Sequence, residues 1–459
     1  MQAIDLEKHS IAKLYFRYFI PSLCAMLALS TYSTIDGIFV GQKLGNDALA
    51  AVGIAWPVFP VLIAYELLFS IGAASLSSYY LGKNEPEKAR LIFSSVFYFA
   101  LLSSLLLGFV FFIFCDEIVI FLGASQTIAP LAAEYLEVIF LGSFVIVLHP
   151  LLDIFVMNDK RPVLAMVAMI SGSLSNVVMN YFFIFVFEWG LFGSALATIL
   201  GHFIGFLILF WHFISKKGQI YFIKAFKFFT LFKSAQNGIA QASAELSASV
   251  VMLIANHILG FLGGDRAIAT YSVVMYSGII LFTALLSASQ AIQPIASFNY
   301  GANVYARLVK ILRFGCAFSL VLGSLMYVLS YLFSEHLVVL FLQKNEFGDI
   351  DEDFLAGCIE AMRIYFLGFI LLGFNMSVAS FFQSVQKPLS SFIVTISYTL
   401  VFVCIFFLIL PSFFDIKGIF FSYPLAELCS FFVALAVIFW TFKKGSLKQN
   451  RNLQEVKAI

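Results

Sequence analysis

Charge is what this chain has least of. Asp, Glu, Lys and Arg make up 12% of its 459 residues, about half the share found in soluble globular proteins. That scarcity excludes a water-facing surface over most of the chain. Cysteine is sparse as well. Cys24, Cys115, Cys316, Cys358, Cys404 and Cys429 are scattered without CxxC spacing, which excludes a disulfide scaffold or a thiolate metal centre and leaves small buried side chains. A phosphate loop (GxxxxGK followed by Ser or Thr) is missing, so ATP is not the indicated energy source. No polar stretch is long enough to form a catalytic domain, so an enzyme is not expected. Nor is a cleavable leader expected, because the polar lead-in Leu6 to Lys13 runs straight into an apolar stretch of full spanning length.

What remains is apolar. The hydrophobic set reaches 61% with 56 Phe, and mean hydropathy is +0.97. A bilayer crossing takes about 20 residues as helix. Twelve runs qualify: 14–40, 51–80, 91–115, 131–157, 163–187, 191–215, 234–260, 267–298, 308–333, 355–385, 389–411 and 418–442. They are too long and continuous for the alternating strands of a membrane barrel. The fold class expected is therefore all-α and polytopic. With the N-terminus placed in the cytoplasm, 22 of the 27 Lys and Arg fall on inside segments; Lys43, Arg266, Lys344, Arg363 and Lys417 stay outside. This bias supports cytoplasmic termini and an even number of spans.

The chain repeats itself. Leu44-Gly45-Asn46-Asp47-Ala48 after span 1 matches Leu262-Gly263-Gly264-Asp265-Arg266-Ala267 after span 7, and Leu81-Gly82-Lys83-Asn84 matches Tyr300-Gly301-Ala302-Asn303. Pro162 and Pro388 open spans 5 and 11, Gly193 and Gly418 open spans 6 and 12, and all four offsets lie between 218 and 226. Six spans per repeat is an even number, so both halves face the same way, with a cavity expected between them. The domains read as an N-terminal bundle 1–215, a basic linker 216–233, a C-terminal bundle 234–443 and a cytoplasmic tail 444–459. The Lys/Phe alternation of the linker predicts a helix lying on the cytoplasmic leaflet.

Ionisable side chains inside spans are functional candidates, because each is costly to keep in hydrocarbon. Asp36 is the foremost, a lone acid with no basic residue between Arg17 and Lys43. Asn176 and Asn180, four apart, share a face of span 5. Amide oxygens, a hydroxyl and one carboxylate form a hard-oxygen set suited to Na⁺, and the same carboxylate could carry a proton. The rival reading of the two Asn is interhelical hydrogen bonding without an ion. Glu66 in span 2, Glu245 in span 7 and Glu427 in span 12 approach the midplane depth where transporter substrates bind. They are candidate substrate or second coupling acids, and acids held protonated or paired are the alternative. Asp153 is expected to pair with Lys160 or Arg161. The histidines (His149, His202, His212, His257, His336) show no ligand spacing and read as packing donors.

Ile35-Asp36-Gly37-Ile38-Phe39-Val40-Gly41, Gln293-Pro294-Ile295 with Asn299-Tyr300-Gly301-Ala302, and Asn176-Val177-Val178-Met179-Asn180 with Ala195-Leu196-Ala197-Thr198 together resemble the multidrug and toxic compound extrusion (MATE) transporters over essentially the whole chain. The likeness is greatest to the DNA-damage-inducible-F/MepA-like branch. It implies two six-helix bundles forming a V and alternating access. It also implies a cation or proton site at Asp36, Asn176, Asn180 and Thr198, and a bend in helix 1 at Pro21. Archaeal members carry Asp at the position of Asn180, so this chain has one carboxylate where they have two.

The function expected is cation-coupled antiport, with H⁺ or Na⁺ as coupling ion and no cofactor, of amphipathic cationic drugs or metabolites. A monomer in a bacterial cytoplasmic membrane is expected, contacting lipid and no nucleic acid. A second reading is a lipid-linked precursor flippase, although anionic headgroups call for basic pockets that the midplane lacks. A channel is a third, disfavoured by the duplicated halves.

Overall fold

The chain lacks the charge to face water, and the computed structural model resolves it into helices. It describes residues 5–339 and 351–443, among which no strand occurs. The expected tail 444–459 and Lys344 lie outside the described residues.

Among the described residues eleven helices are long and apolar enough to cross a membrane, and a bent pair taken as one span (α4) makes twelve: α1 Ile11–Leu44, α2 Asp47–Gly82, α3 Pro86–Ile113, α4 Ala129–Leu141 with Ser143–Asn158, α5 Pro162–Val186, α6 Gly190–Ile214, α7 Phe228–Gly264, α8 Arg266–Gly301, α9 Tyr305–Leu332, α10 Glu352–Ser384, α11 Pro388–Ile409 and α12 Pro411–Lys443. The two parts of α4 meet at a bend of 50°. At 1.5 Å per residue, α1 is about 50 Å long, more than the hydrocarbon core requires, so it tilts or projects. Pro21 lies inside α1 without ending it.

The backbone carries the duplication. Helix ends are marked by residues of left-handed conformation, which stop a helix and favour Gly and Asn. Among the described residues eight of the eleven come in pairs: Gly45 with Gly264, Asn84 with Asn303, Lys160 with Gln386 and Gly190 with Asp415. The pairs are 219, 219, 226 and 225 residues apart. The backbone thus matches Gly45 to Gly264, one residue on from the Gly263 that the sequence repeat selects.

Packing divides the described residues into two compact units. One holds Phe16–Ser249; the other holds Leu6–Tyr15 and the chain from Val250 onward. The division cuts through α1 and α7 rather than through the linker. In the second unit, Asn299 and Arg307 donate to the Leu6 carbonyl and Arg307 also to that of His9, at 2.8–3.1 Å. Tyr15 Oη donates to the Ala288 carbonyl at 2.6 Å.

The linker is not a leaflet helix. From Gly218 to Lys227 it is non-helical, and α7 begins at Phe228. Asp159 Oδ1 accepts from the Gln219 and Ile220 amides at 2.8 and 3.2 Å, Ser94 Oγ accepts from the Ile223 amide and Ser95 Oγ from the Lys227 amide. Phe222 packs among Phe93, Phe97, Phe210 and Phe213. A helix would have consumed those amides internally; here side chains of α3 and of the turn after α4 satisfy them instead. Gly218 makes the approach possible, because a Cβ there would lie 1.5 Å from Asp159 Oδ2.

Candidate functional site

Charged side chains are scarce in this chain, so a buried carboxylate with polar neighbours is informative. Within the first unit α1, α5 and α6 bring five together. Asp36 is 9% exposed, and Asn176, Asn180, Ser194 and Thr198 are buried more deeply. Asn180 Nδ2 donates to Asp36 Oδ1, and Ser194 Oγ donates to the same oxygen at 2.9 Å. One turn back along α5 and one turn on along α6, Asn176 Nδ2 donates to Thr198 Oγ1 at 3.4 Å. The four sequence-named residues are therefore assembled, with Ser194 as an addition. Its signal was its spacing: Ser194 and Thr198 are four apart on α6, as Asn176 and Asn180 are on α5, so both rows face the gap.

Helix packing sets this geometry. A Cβ on Gly172 would lie 2.7 Å from the Gly201 carbonyl oxygen, and one on Gly201 would lie 2.8 Å from Asn176 Cβ. The two glycines let α5 and α6 approach at backbone distance, as small residues do in membrane bundles. Beyond Asn180, α5 widens into a π turn, Phe182–Val186.

Two acceptors in this group have no partner. The side-chain carbonyl oxygens of Asn176 and Asn180 are buried without a hydrogen bond. A buried acceptor left unmade costs about 1–3 kcal/mol, so both are poised for a donor or a cation. With the Asp36 carboxylate and two hydroxyls they form an all-oxygen set, which suits a hard cation such as Na⁺. The same carboxylate is also the one acid in the group that could take up a proton. Tyr32 and Tyr135 stand near enough to feel the charge of Asp36. A cavity of about 10 Å³, lined in part by Tyr32, Asn176, Thr198, His149 and His202, adjoins the group and has room for one water-sized particle.

Two of the histidines are brought together in space. His149 Nδ1 and His202 Nδ1 are 3.1 Å apart, and Tyr32 Oη is 3.4 Å from His202 Nε2. Only the repeat could have signalled this. At the offsets of 226 for α4 and 225 for α6, His149 corresponds to Asn375 and His202 to Glu427. The second unit joins those two residues as well: Asn375 Nδ2 donates to Glu427 Oε2 at 2.7 Å.

The other acids occupy two places. Glu427 is fully buried in the second unit beside the stacked rings of Tyr365 and Tyr423, whose centroids are 4.2 Å apart. Glu66 and Glu245 both belong to the first unit, since packing places α7 up to Ser249 there, although the repeat assigns α7 to the second half. Glu66, Asp153 and Glu245 are electrostatic neighbours. Asp153 forms no ion pair with Lys160 or Arg161 among the described residues, and its Oδ1 is buried without a partner. The reason is geometric: Asp159, six residues later, holds the linker amides and His212 Nε2, and Arg161 donates to the Lys217 carbonyl.

Three comparisons bear on this arrangement. A family model described as MatE matches residues 21–182 and 241–408, one match in each half. The multidrug export protein MepA of Staphylococcus aureus (strain MSSA476) is 21% identical over 452 residues, covering 95% of this chain and 96% of its own. Among solved structures, a multidrug resistance MATE family transporter of the MOP superfamily in an outward-facing conformation is 22% identical with a TM-score of 0.90, covering 98% of this chain and 99% of that one. A MOP superfamily transporter from Pyrococcus furiosus Vc1, described as having a binding pocket of reversed polarity, gives the same identity, coverage and score. At that identity the structural likeness establishes the fold, twelve helices in two duplicated bundles.

Proposed function

The chain belongs to the MatE family of transporters, and from that premise we propose that it exports small organic molecules by antiport, with a proton or Na⁺ bound at Asp36 as the coupling ion. It is a transporter and not an enzyme. The observation that carries the coupling role is the buried carboxylate of Asp36, held by two neutral donors and adjoined by two unpartnered amide oxygens. An ionised carboxylate accepts strongly from Asn180 and Ser194. Neutralised by a proton or screened by a cation, it accepts less strongly, and the grip of α5 and α6 on α1 loosens. Pro21 gives α1 a place to bend when that happens, since the ring removes one helical hydrogen bond.

The substrates proposed are amphipathic cationic drugs or metabolites. Two things support this reading: MepA of Staphylococcus aureus, a full-length relative, is a multidrug export protein, and Glu66, Glu245 and Glu427 offer intramembrane acids to a cation amid abundant Phe and Tyr. The basic bias of the inside segments supports a bacterial cytoplasmic membrane with both termini in the cytoplasm. A monomer satisfies this mechanism.

The test is ethidium efflux from vesicles under an imposed pH gradient or an imposed Na⁺ gradient. The wild type should respond to one of the two gradients and Asp36→Asn, inserted at equal level, to neither. A variant that still responds like the wild type removes Asp36 from the coupling step.

A further inference from the structure

Gly205, on α6, approaches His149 so closely that a Cβ there would lie 2.2 Å from His149 Nε2. A side chain at 205 would force the imidazole to move. The fold has thus made room for an imidazole at a position where the second unit carries the smaller Asn375.

We propose that Tyr32, His202 and His149 form a proton relay that leads from Asp36 toward Asp153, on the inner half of the first unit. The inference rests on the proton form of the coupling proposed above. Tyr32 is one helical turn before Asp36 on α1, and Asp153 is one turn after His149 on α4. Each such step is a rise of about 6 Å. Between them the chain is continuous at 3.4 Å and 3.1 Å. His149 Nε2 and Asp153 Oδ1 are both buried and both lack a hydrogen-bond partner.

The proton count balances. The relay assigns the resting tautomers as follows: Tyr32 O–H donates to His202 Nε2, His202 Nδ1–H donates to His149 Nδ1, and His149 carries its single N–H proton on Nε2. A proton arriving from Asp36 takes the phenol oxygen as the phenol proton passes to His202 Nε2. The Nδ1 proton of His202 then passes to His149 Nδ1, and the Nε2 proton of His149 leaves for the Asp153 carboxylate. No group gains or loses a proton net except Asp36 and Asp153. Neither histidine has to stay charged, which matters because a lone imidazolium is costly at this depth.

The ionisable groups around the pair are few. Tyr32 lines the same cavity from α1, and the polar side chains that α5 contributes to it are only Ser173 and Asn176. Asp36 and Tyr135 are neighbours of Tyr32, and Glu66, with Glu245 beyond it, is a neighbour of Asp153. The nearest basic residue on α1 is Lys43, 11 residues from Tyr32 and about 16 Å along the helix, with Arg17 further away on the other side. The chain has a gap of one turn at each end, so it does not leak in this conformation. Movement of α1 makes or breaks the Tyr32 contact, which ties the relay to the same helix that Asp36 controls.

Purified full-length protein in liposomes provides the test, with ethidium as substrate. Two rates are read for the wild type, Asp36→Asn, His149→Asn and His202→Gln: efflux driven by an imposed pH gradient, and ethidium counterflow with no gradient. The relay predicts that both histidine variants lose about tenfold or more in the gradient-driven rate and keep wild-type counterflow. Gradient-driven efflux that survives in both histidine variants but not in Asp36→Asn overturns the relay and leaves the coupling reading intact. Equal losses in both rates show a packing role and overturn the relay too. A wild type deaf to the pH gradient removes the proton reading and the relay with it.

Discussion

Ser194 donates its hydroxyl proton to Asp36 Oδ1 at 2.9 Å, from one helix to another across the first unit. It shares that oxygen with Asn180, so the two donors compete for one acceptor and neither alone carries the hold. Ser194→Ala removes one hydrogen bond to a charged group, worth about 1.5–3 kcal/mol in general, yet Asn180 remains. The expected outcome is a weakened site that still couples. In vesicles the driving gradient needed for half-maximal ethidium efflux should shift by about tenfold, with the maximal rate retained.

Asn180→Asp tests the count of acids. Two carboxylates this close cannot both ionise freely, and one is forced to hold a proton or a cation. The variant should respond more steeply to the coupling ion than the wild type. The steepness of efflux rate against pH or Na⁺ concentration measures this, and an unchanged slope would show that residue 180 does not share the ion with Asp36.

The α5–α6 approach rests on missing side chains. Gly201→Leu forces a branched side chain onto Asn176 Cβ, where even one carbon would sit at 2.8 Å. Overpacking of this kind costs about 1–3 kcal/mol and sometimes more. Thermal unfolding of the purified protein should begin at a lower temperature, and transport should fall because Asn176 and Thr198 are pushed apart. Gly37→Ala is the control, because a Cβ there meets nothing within 4 Å.

The linker offers a different readout. Gly218→Ala places a carbon against Asp159 and should release the strap that Asp159, Ser94 and Ser95 hold. Trypsin should then cut the detergent-purified protein at Lys224 and Lys227 several times faster than the wild type. Equal cleavage rates would show that the strap is held by its aromatic residues alone.

How far the sequence led depends on the range of the signal. Spans and duplication were legible because hydrophobic length and the repeated Gly, Asn and Pro positions are local and survive without a partner. The meeting of Asp36 with Asn180 was legible through family resemblance, and the face shared by Asn176 and Asn180 through helical spacing. The linker was misread because alternating Lys and Phe suits a leaflet helix and an extended strap equally well. The discriminating residue was Gly218, whose meaning depends on Asp159, some 60 positions away. His149 and His202 are 53 residues apart with no pattern between them, and only the match to Asn375 and Glu427 could have brought them together on paper.

The division of the two units inside α1 and α7 has a consequence for synthesis. When the ribosome has finished α6 at Ile214, the first unit still lacks everything up to Ser249, another 35 residues. At 5–20 residues per second that is a wait of roughly 2–7 s. Leu6 to Tyr15 wait far longer. They are made at the very start, yet the groups that hold them, Ala288, Asn299 and Arg307, emerge after more than half the chain. Neither bundle can therefore close on its own schedule in the insertion machinery, and the birth order of the helices is not the order in which they come to rest.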